Sequence, residues 1–196
     1  MERENPRLFH ISEDPKINVF VPRLSPSHFN IIKADVVMAV SENLVHNYML
    51  PKECPRLSYH AGPDTTPRDT KKFFGFCTAA HIMAVENRWI KKIQSTTLYC
   101  YEFDSRHFSL FDESTGDYTA YKTIVPISIK PIYSILDELL KRNIELRFMP
   151  TIDKLAMEIR KSSLHSSLIK IRGLEPEKLR RRHKLRVDSS IGLTAK

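Results

Sequence analysis

The chain has 196 residues, of which 41% are hydrophobic and 28% charged, and its formal net charge is +8. That length fits one domain, with or without a tail, and can bury a core unaided by disulfides or metals. No apolar run approaches the roughly 18 residues that cross a bilayer. The opening MERENPRLFH lacks the apolar core of a signal peptide. Together these exclude a membrane protein and predict a cytoplasmic one. Cys54, Cys77 and Cys100 are odd in number and show no CxxC spacing, which argues against a disulfide framework or a zinc ribbon. The plain reading of the three is small, partly buried apolar side chains. Charge is uneven: residues 175–196 hold seven Lys/Arg against three acids. This divides the chain into a domain over 1–174 and a basic C-terminal tail over 175–196.

In chain order, RLFHIS reads as a first strand, with Leu8, Phe9 and Ile11 apolar. DPKINVFVPR carries Pro15 and Pro22 and reads as a turn followed by an extended segment. SPSHFNII is loop-like, and ADVVMAV is a strand by its β-branched content. Ser41 then reads as the N-cap of a helix over ENLVHNYML, ended by Pro51. RLSYHAG is a possible strand running into PDTTPRDT, which reads as a mobile polar loop. TAAHIMAVENRWIKKI has helical spacing, with strand as the alternative for its first half. TTLYCYEF, HFSLFD and AYKTIVPISIKPI read as strands, and SILDELLKRN as a helix capped by Ser134. IELRFM is a strand, TIDKLAMEIRKSSL an amphipathic helix capped by Thr151, and SLIKIRG a final strand. Strands interleaved with helices predict an α+β fold around a mostly antiparallel sheet with flanking helices.

Strong catalytic signatures are missing: there is no P-loop, GxGxxG, HExxH, GxSxG or EF-hand loop. His28, His46, His60, His107, His165 and His183 are scattered along the chain, and nothing near His81 and Glu86 completes a metal triad. No metal is therefore assigned. The better signal is a set of polar residues at element edges: His10 and Ser12 at the first strand, Arg23 after the extended segment, Ser41, Tyr48 and Arg56. Imidazole, hydroxyl, aromatic and guanidinium groups together suit a phosphate-bearing nucleotide, because Arg clamps phosphate and Tyr stacks on a base. Two readings of these residues stand. Either they converge on a nucleotide, or Arg23 and Arg56 pair with acids such as Glu13, Glu42 or Glu53 while Tyr48 packs in the core.

LFHISEDPKINVFVPR, VMAVSENLVHNYMLPKECPR, NIELRFMP and SSLHSSLIKIRG together resemble a bacterial domain family of unknown function, over nearly the whole domain to about Gly173. More distantly, the opening is similar to ADP-ribosyltransferase-like folds and RNA 2′-phosphotransferases. That resemblance implies an NAD-like cofactor, with His10 on a ribose hydroxyl and Ser41 and Tyr48 shaping the pocket. One or more of Arg23, Arg56 and Arg147 is expected to converge on the same cleft. Such folds also usually carry a glutamate on a late strand, which polarises the ribose 2′-hydroxyl as the oxocarbenium-like centre forms. In GDYTAYKTIVPI no glutamate lies on the strand, and the acids nearby are Glu113 and Asp117.

Two other functions remain open on the sequence. One is a non-enzymatic binding module whose basic tail touches nucleic acid or another acidic partner, with salt-sensitive affinity; the alternative is a solvated tail. The other is a hydrolase or transferase using Cys54 or His10, since a cation beside a thiol, here Arg56, lowers its pKa.

Overall fold

The computed structural model describes residues 5–24, 32 and 34–171. The basic tail, His28, His183 and most of SPSHFNII lie outside the described residues. Ten strands and four α-helices alternate along the described chain. Strands β1 (Leu8–Ser12), β2 (Val37–Ser41), β5 (Leu98–Phe103), β6 (Ser109–Asp112), β7 (Asp117–Ala120) and β8 (Ser128–Ile132) form one sheet. Its order is β6-β7-β2-β1-β5-β8, and every pairing is antiparallel. Strands β3 (Arg56–His60), β4 (His81–Glu86), β9 (Ile144–Met149) and β10 (His165–Ile169) form a second sheet, ordered β10-β3-β4-β9. Only its β4–β9 pair is parallel. The α+β expectation holds, with the strands divided between two sheets.

Three cores follow from the alternation of side chains along the strands. The largest lies between the sheets and joins Phe9 and Val40 to Met83 and Val85. Helices α2 (Ile90–Ser95) and α3 (Ile135–Lys141) add Ile93, Ile135 and Leu139 to it. On its other face the second sheet packs Leu57, Tyr59, Ile82 and Ala84 against helices α1 (Pro67–Phe74) and α4 (Asp153–Lys161). The six-stranded sheet packs Leu8, Val37, Ala39, Tyr101 and Phe103 with Phe20 and Ile124 on its outer side. Phe20 and Ile124 also exchange backbone hydrogen bonds of 2.8 and 2.9 Å, so the extended segment after β1 is tied to this layer.

Three segments differ from the sequence reading. ENLVHNYML is not an α-helix: Ser41 ends β2, and only Val45–Tyr48 form a short 3-10 helix, with no side-chain cap. Leu44, Val45, His46, Asn47, Met49 and Leu50 are all buried, so the segment lacks the solvent face of an amphipathic helix. The second difference is in PDTTPRDT, whose end starts α1. Thr66 Oγ1 accepts from the Asp69 N–H at 3.2 Å and Pro67 stands at the first position, both ordinary start signals. HIMAVE is a strand, the alternative the sequence left open for the first half of its segment. It lies between β3 and β9, and its four central residues are fully buried, as a central strand covered on both faces requires. The third difference is AYKTIVPISIKPI, which is not one strand, since Ala120 ends β7 and β8 starts at Ser128.

The candidate site and a row of histidines

His10 lies in β1, between β2 and β5. Its Nδ1 is 3.2 Å from the Met38 carbonyl oxygen. A carbonyl only accepts, so Nδ1 carries the proton and Nε2 is left as an acceptor. The ring meets Phe20 edge-on, with centroids 5.0 Å apart. Burial lowers the imidazole pKa, the Met38 bond opposes this, and the charge of Arg23 lowers it further. His10 is therefore neutral at pH 7. Arg23 is held by paired backbone bonds with Val36 of 3.1 and 3.0 Å. The polar cluster after the strand is turn chemistry. Ser12 Oγ accepts from the Asp14 N–H at 3.0 Å, and Asp14 Oδ1 from the Lys16 N–H at 2.8 Å.

A second group sits on the opposite side of the same sheet. Asp117 pairs with Val40, which faces the inter-sheet core, whereas His10 packs with Phe20 and Phe103 of the outer core. Tyr48 donates its hydroxyl to Asp117 Oδ1 at 2.9 Å, and Thr115 donates to Oδ2 at 2.7 Å. Burial pushes the Asp117 carboxyl up to about 6, although both hydrogen bonds work in the other direction. The Tyr48 hydroxyl is raised well above its usual range, by burial first and then by the Asp117 charge. Ser41 reaches the same corner: its N–H donates to the Gly116 carbonyl at 2.9 Å. Gly116 has φ +66°, and a Cβ there would run into Ser41 Oγ.

Arg56 is buried among main-chain acceptors. It donates to the carbonyls of Asn47, Pro51 and Cys54 at 2.8, 3.3 and 3.1 Å. Burial lowers its pKa to about 10. It thereby pins the turn before β3. Arg147 belongs elsewhere, on Glu145, the Tyr59 hydroxyl and the Phe73 carbonyl. Glu113 is exposed in the β6–β7 turn, where its charge helps to raise the Tyr118 pKa after burial. The set of sequence candidates therefore divides. His10 and Arg23 share the outer face, Tyr48 and Asp117 share the inter-sheet corner, Ser41 pairs with Leu8 and touches that corner through Gly116, and Arg147 stands apart. Cys54 is fully buried, in keeping with the plain reading, and burial pushes its thiol up to about 11 despite Arg56, which speaks against its use as a nucleophile.

The structure also gathers residues that looked scattered. His165, His60 and His81 are successive cross-strand partners on β10, β3 and β4. His46 of the 3-10 helix packs edge-on against His81, with centroids 4.6 Å apart. His81 and His60 are 4.7 Å apart, and His60 and His165 are 5.3 Å apart. Four imidazoles from four chain segments thus form a row running from the buried His46 to half-buried rings. Burial, with the neighbouring imidazoles, lowers His46 to about 3 and His60 to about 4, and burial also lowers His81. Gly62 makes room for the end of the row, since a Cβ there would strike the His165 ring.

A family model described as a family of unknown function, DUF6886, matches residues 9–173. The chain belongs to the DUF6886 family. The match begins within β1 and ends beyond β10, so it takes in both sheets, the His10 face, the Tyr48–Asp117 corner and the histidine row of the DUF6886 domain. No curated protein and no solved structure matches the chain. Among the described residues, no helix is long and apolar enough to cross a membrane.

Proposed function

We propose that the DUF6886 domain binds an NAD-like nucleotide on the outer face of its six-stranded sheet, through His10 and Arg23. The observation that carries this reading is the fixed tautomer of His10. With Nδ1 held by Met38 and the ring kept neutral, Nε2 can only accept, which suits a donating ribose hydroxyl. Arg23 is near enough for its charge to act on that ring, and a guanidinium there suits a phosphate. Phe20 adds an aromatic edge beside the imidazole. Asp117 plays no part at this face, because it bonds to Tyr48 and Thr115 on the other side of the sheet. Glu113 is the acid that remains for a group transfer, as its charge bears on Tyr118, which packs against the outer core. Binding is thus the primary reading, and ADP-ribosyl transfer is a further step that depends on Glu113.

Calorimetry and thermal shift with NAD, ADP-ribose and an RNA 2′-phosphate end test the proposal. Saturable binding of one of these is expected, with affinity several-fold to about tenfold lower in His10→Ala and at least about tenfold lower in Arg23→Ala, since a neutral hydrogen bond contributes about 0.5–1.5 kcal/mol and one to a charged group about 1.5–3 kcal/mol. Tyr48→Phe should bind as the parent does. Absence of heat and of stabilisation with all three ligands would overturn it.

A further inference from the structure

One edge of the six-stranded sheet carries an exposed apolar row that the nucleotide reading does not use. We propose that this edge binds the surface of an anionic lipid bilayer, lying on it rather than crossing it.

Three observations support this surface. The first is the row itself. Val125, Ile127 and Ile129 occupy alternate positions of the edge strand β8 and its lead-in, so they stand on one side of the chain. The antiparallel bridge between Phe20 and Ile124 brings Val19 and Val21 alongside. Phe20 and Ile124 turn into the outer core, so their neighbours turn to solvent. All five aliphatic side chains are between 43% and 64% exposed. Two segments distant in sequence thus build one apolar patch, and such a patch marks an interaction surface.

The second observation is charge. Residues 15–24 and 118–134 contain no Asp or Glu, and they carry Lys16, Lys122 and Lys130 besides Arg23. The three lysines are exposed, and none forms an ion pair among the described residues. Glu102, which pairs with Ser128 of β8, is already held by Arg7 at 2.8 Å. Unpaired cations around an apolar patch complement anionic headgroups. Third, tyrosines stand at both ends of the row, since Tyr121 and Tyr133 are largely exposed. A phenol ring has an apolar body and a polar tip, which suits the headgroup level of a bilayer.

Other occupants fit less well. Pro131 stands within β8 and has no N–H, which guards the edge against a further strand. A second copy carries the same net charge of +8, and a symmetric contact would set its lysines against those of the first. A bilayer takes the aliphatic groups at its acyl boundary while the lysine stems reach along them to the headgroups.

The test is co-sedimentation of the full chain with vesicles of phosphatidylcholine alone and of phosphatidylcholine with about 30% phosphatidylglycerol. Binding to the anionic vesicles should be at least about tenfold the stronger, and should weaken with salt. Val125→Ser combined with Ile127→Ser alters exposed side chains and is expected to fold; it should weaken anionic-vesicle binding at least about tenfold. Lys122→Gln combined with Lys130→Gln should weaken it at least about fivefold. Leu140→Ser removes an exposed leucine from α3 and should leave binding unchanged. Failure of the full chain to sediment with anionic vesicles would overturn the proposal. So would parental binding in the Val125 and Ile127 variant, because charge alone, including the seven Lys/Arg of residues 175–196, would then hold the chain. A dimer of the free chain that the same variant dissolves in sedimentation velocity would overturn it too, by making the row a contact between copies. Each result leaves the nucleotide reading untouched, since that rests on His10 and Arg23.

Discussion

Tyr48 donates its hydroxyl to the buried carboxylate of Asp117 across 2.9 Å, joining the 3-10 helix at Val45–Tyr48 to β7. The two residues are 69 positions apart, and their bond closes one corner of the inter-sheet core. Removing one partner of a buried hydrogen bond costs more than the bond itself contributes, because the other is left desolvated. Tyr48→Phe is therefore expected to destabilise the fold by about 1–3 kcal/mol. Since the Tyr48 bond lowers the Asp117 pKa, the variant should also raise that carboxyl above its value of about 6. Urea unfolding measures the first effect, and carboxyl-carbon NMR titration the second. An unchanged midpoint and titration would show that the bond contributes nothing in solution.

Arg56 should prove structural. Arg56→Met removes the donor to the Asn47, Pro51 and Cys54 carbonyls. The Pro51 carbonyl keeps the Cys54 N–H at 2.9 Å, so Asn47 and Cys54 are the carbonyls that lose their donor. At about 1–3 kcal/mol each, a loss of about 2–6 kcal/mol is expected. Arg56→Lys keeps the charge but not the planar fork of donors, and should fall between Met and the parent. Urea midpoints for the three proteins give the order directly. A Met variant as stable as the parent would mean that water replaces the guanidinium at these carbonyls.

Stability should fall in mild acid. The folded pKa values of His46 and His60, about 3 and about 4, lie below the ordinary 6.5. The unfolded chain thus binds more protons at these sites once pH drops under about 6.5, and stability falls with pH. Asp117 acts in the opposite sense. Its folded pKa of about 6 exceeds the ordinary 3.8, so between those values the folded form holds the extra proton. Two histidines outweigh one carboxyl, and His10 and His81 add to the histidine side. Unfolding between about pH 4 and 6 should take up at least about one proton, a slope of about 1.4 kcal/mol per pH unit. His46→Gln should reduce that uptake by about one proton. Urea midpoints from pH 4 to 8 provide the check, and a flat profile in the parent would contradict it.

Much of the layer structure was legible in the sequence because strand signals are local. Leu8, Phe9 and Ile11, the Tyr-rich alternation of β5 and the β-branched run of β2 each identify a strand from a few residues. Ser134 marks the start of α3 as its side chain suggests, accepting from the Asp137 N–H at 3.4 Å. The 3-10 segment was misread because its apolar residues fit a helical period, whereas its burial on every side came from two sheets closing over it. The α1 start was missed because Thr, Pro and Asp serve equally in loops and in caps. For the site, the sequence could flag His10 and Asp117 as polar groups near strand ends, but strand register puts them on opposite faces.

The sequence by itself determined the α+β character, most strand positions, the turn after β1 and the concentration of positive charge at the end of the chain. Those properties depend on neighbouring residues and on a period of two or of 3.6. Only the tertiary structure decided that Arg56 would hold three carbonyls, that Tyr48 would meet Asp117, and that four separate histidines would stand in one row. These are matters of register between distant strands, and a shift of one residue would turn every side chain of a strand to the other face.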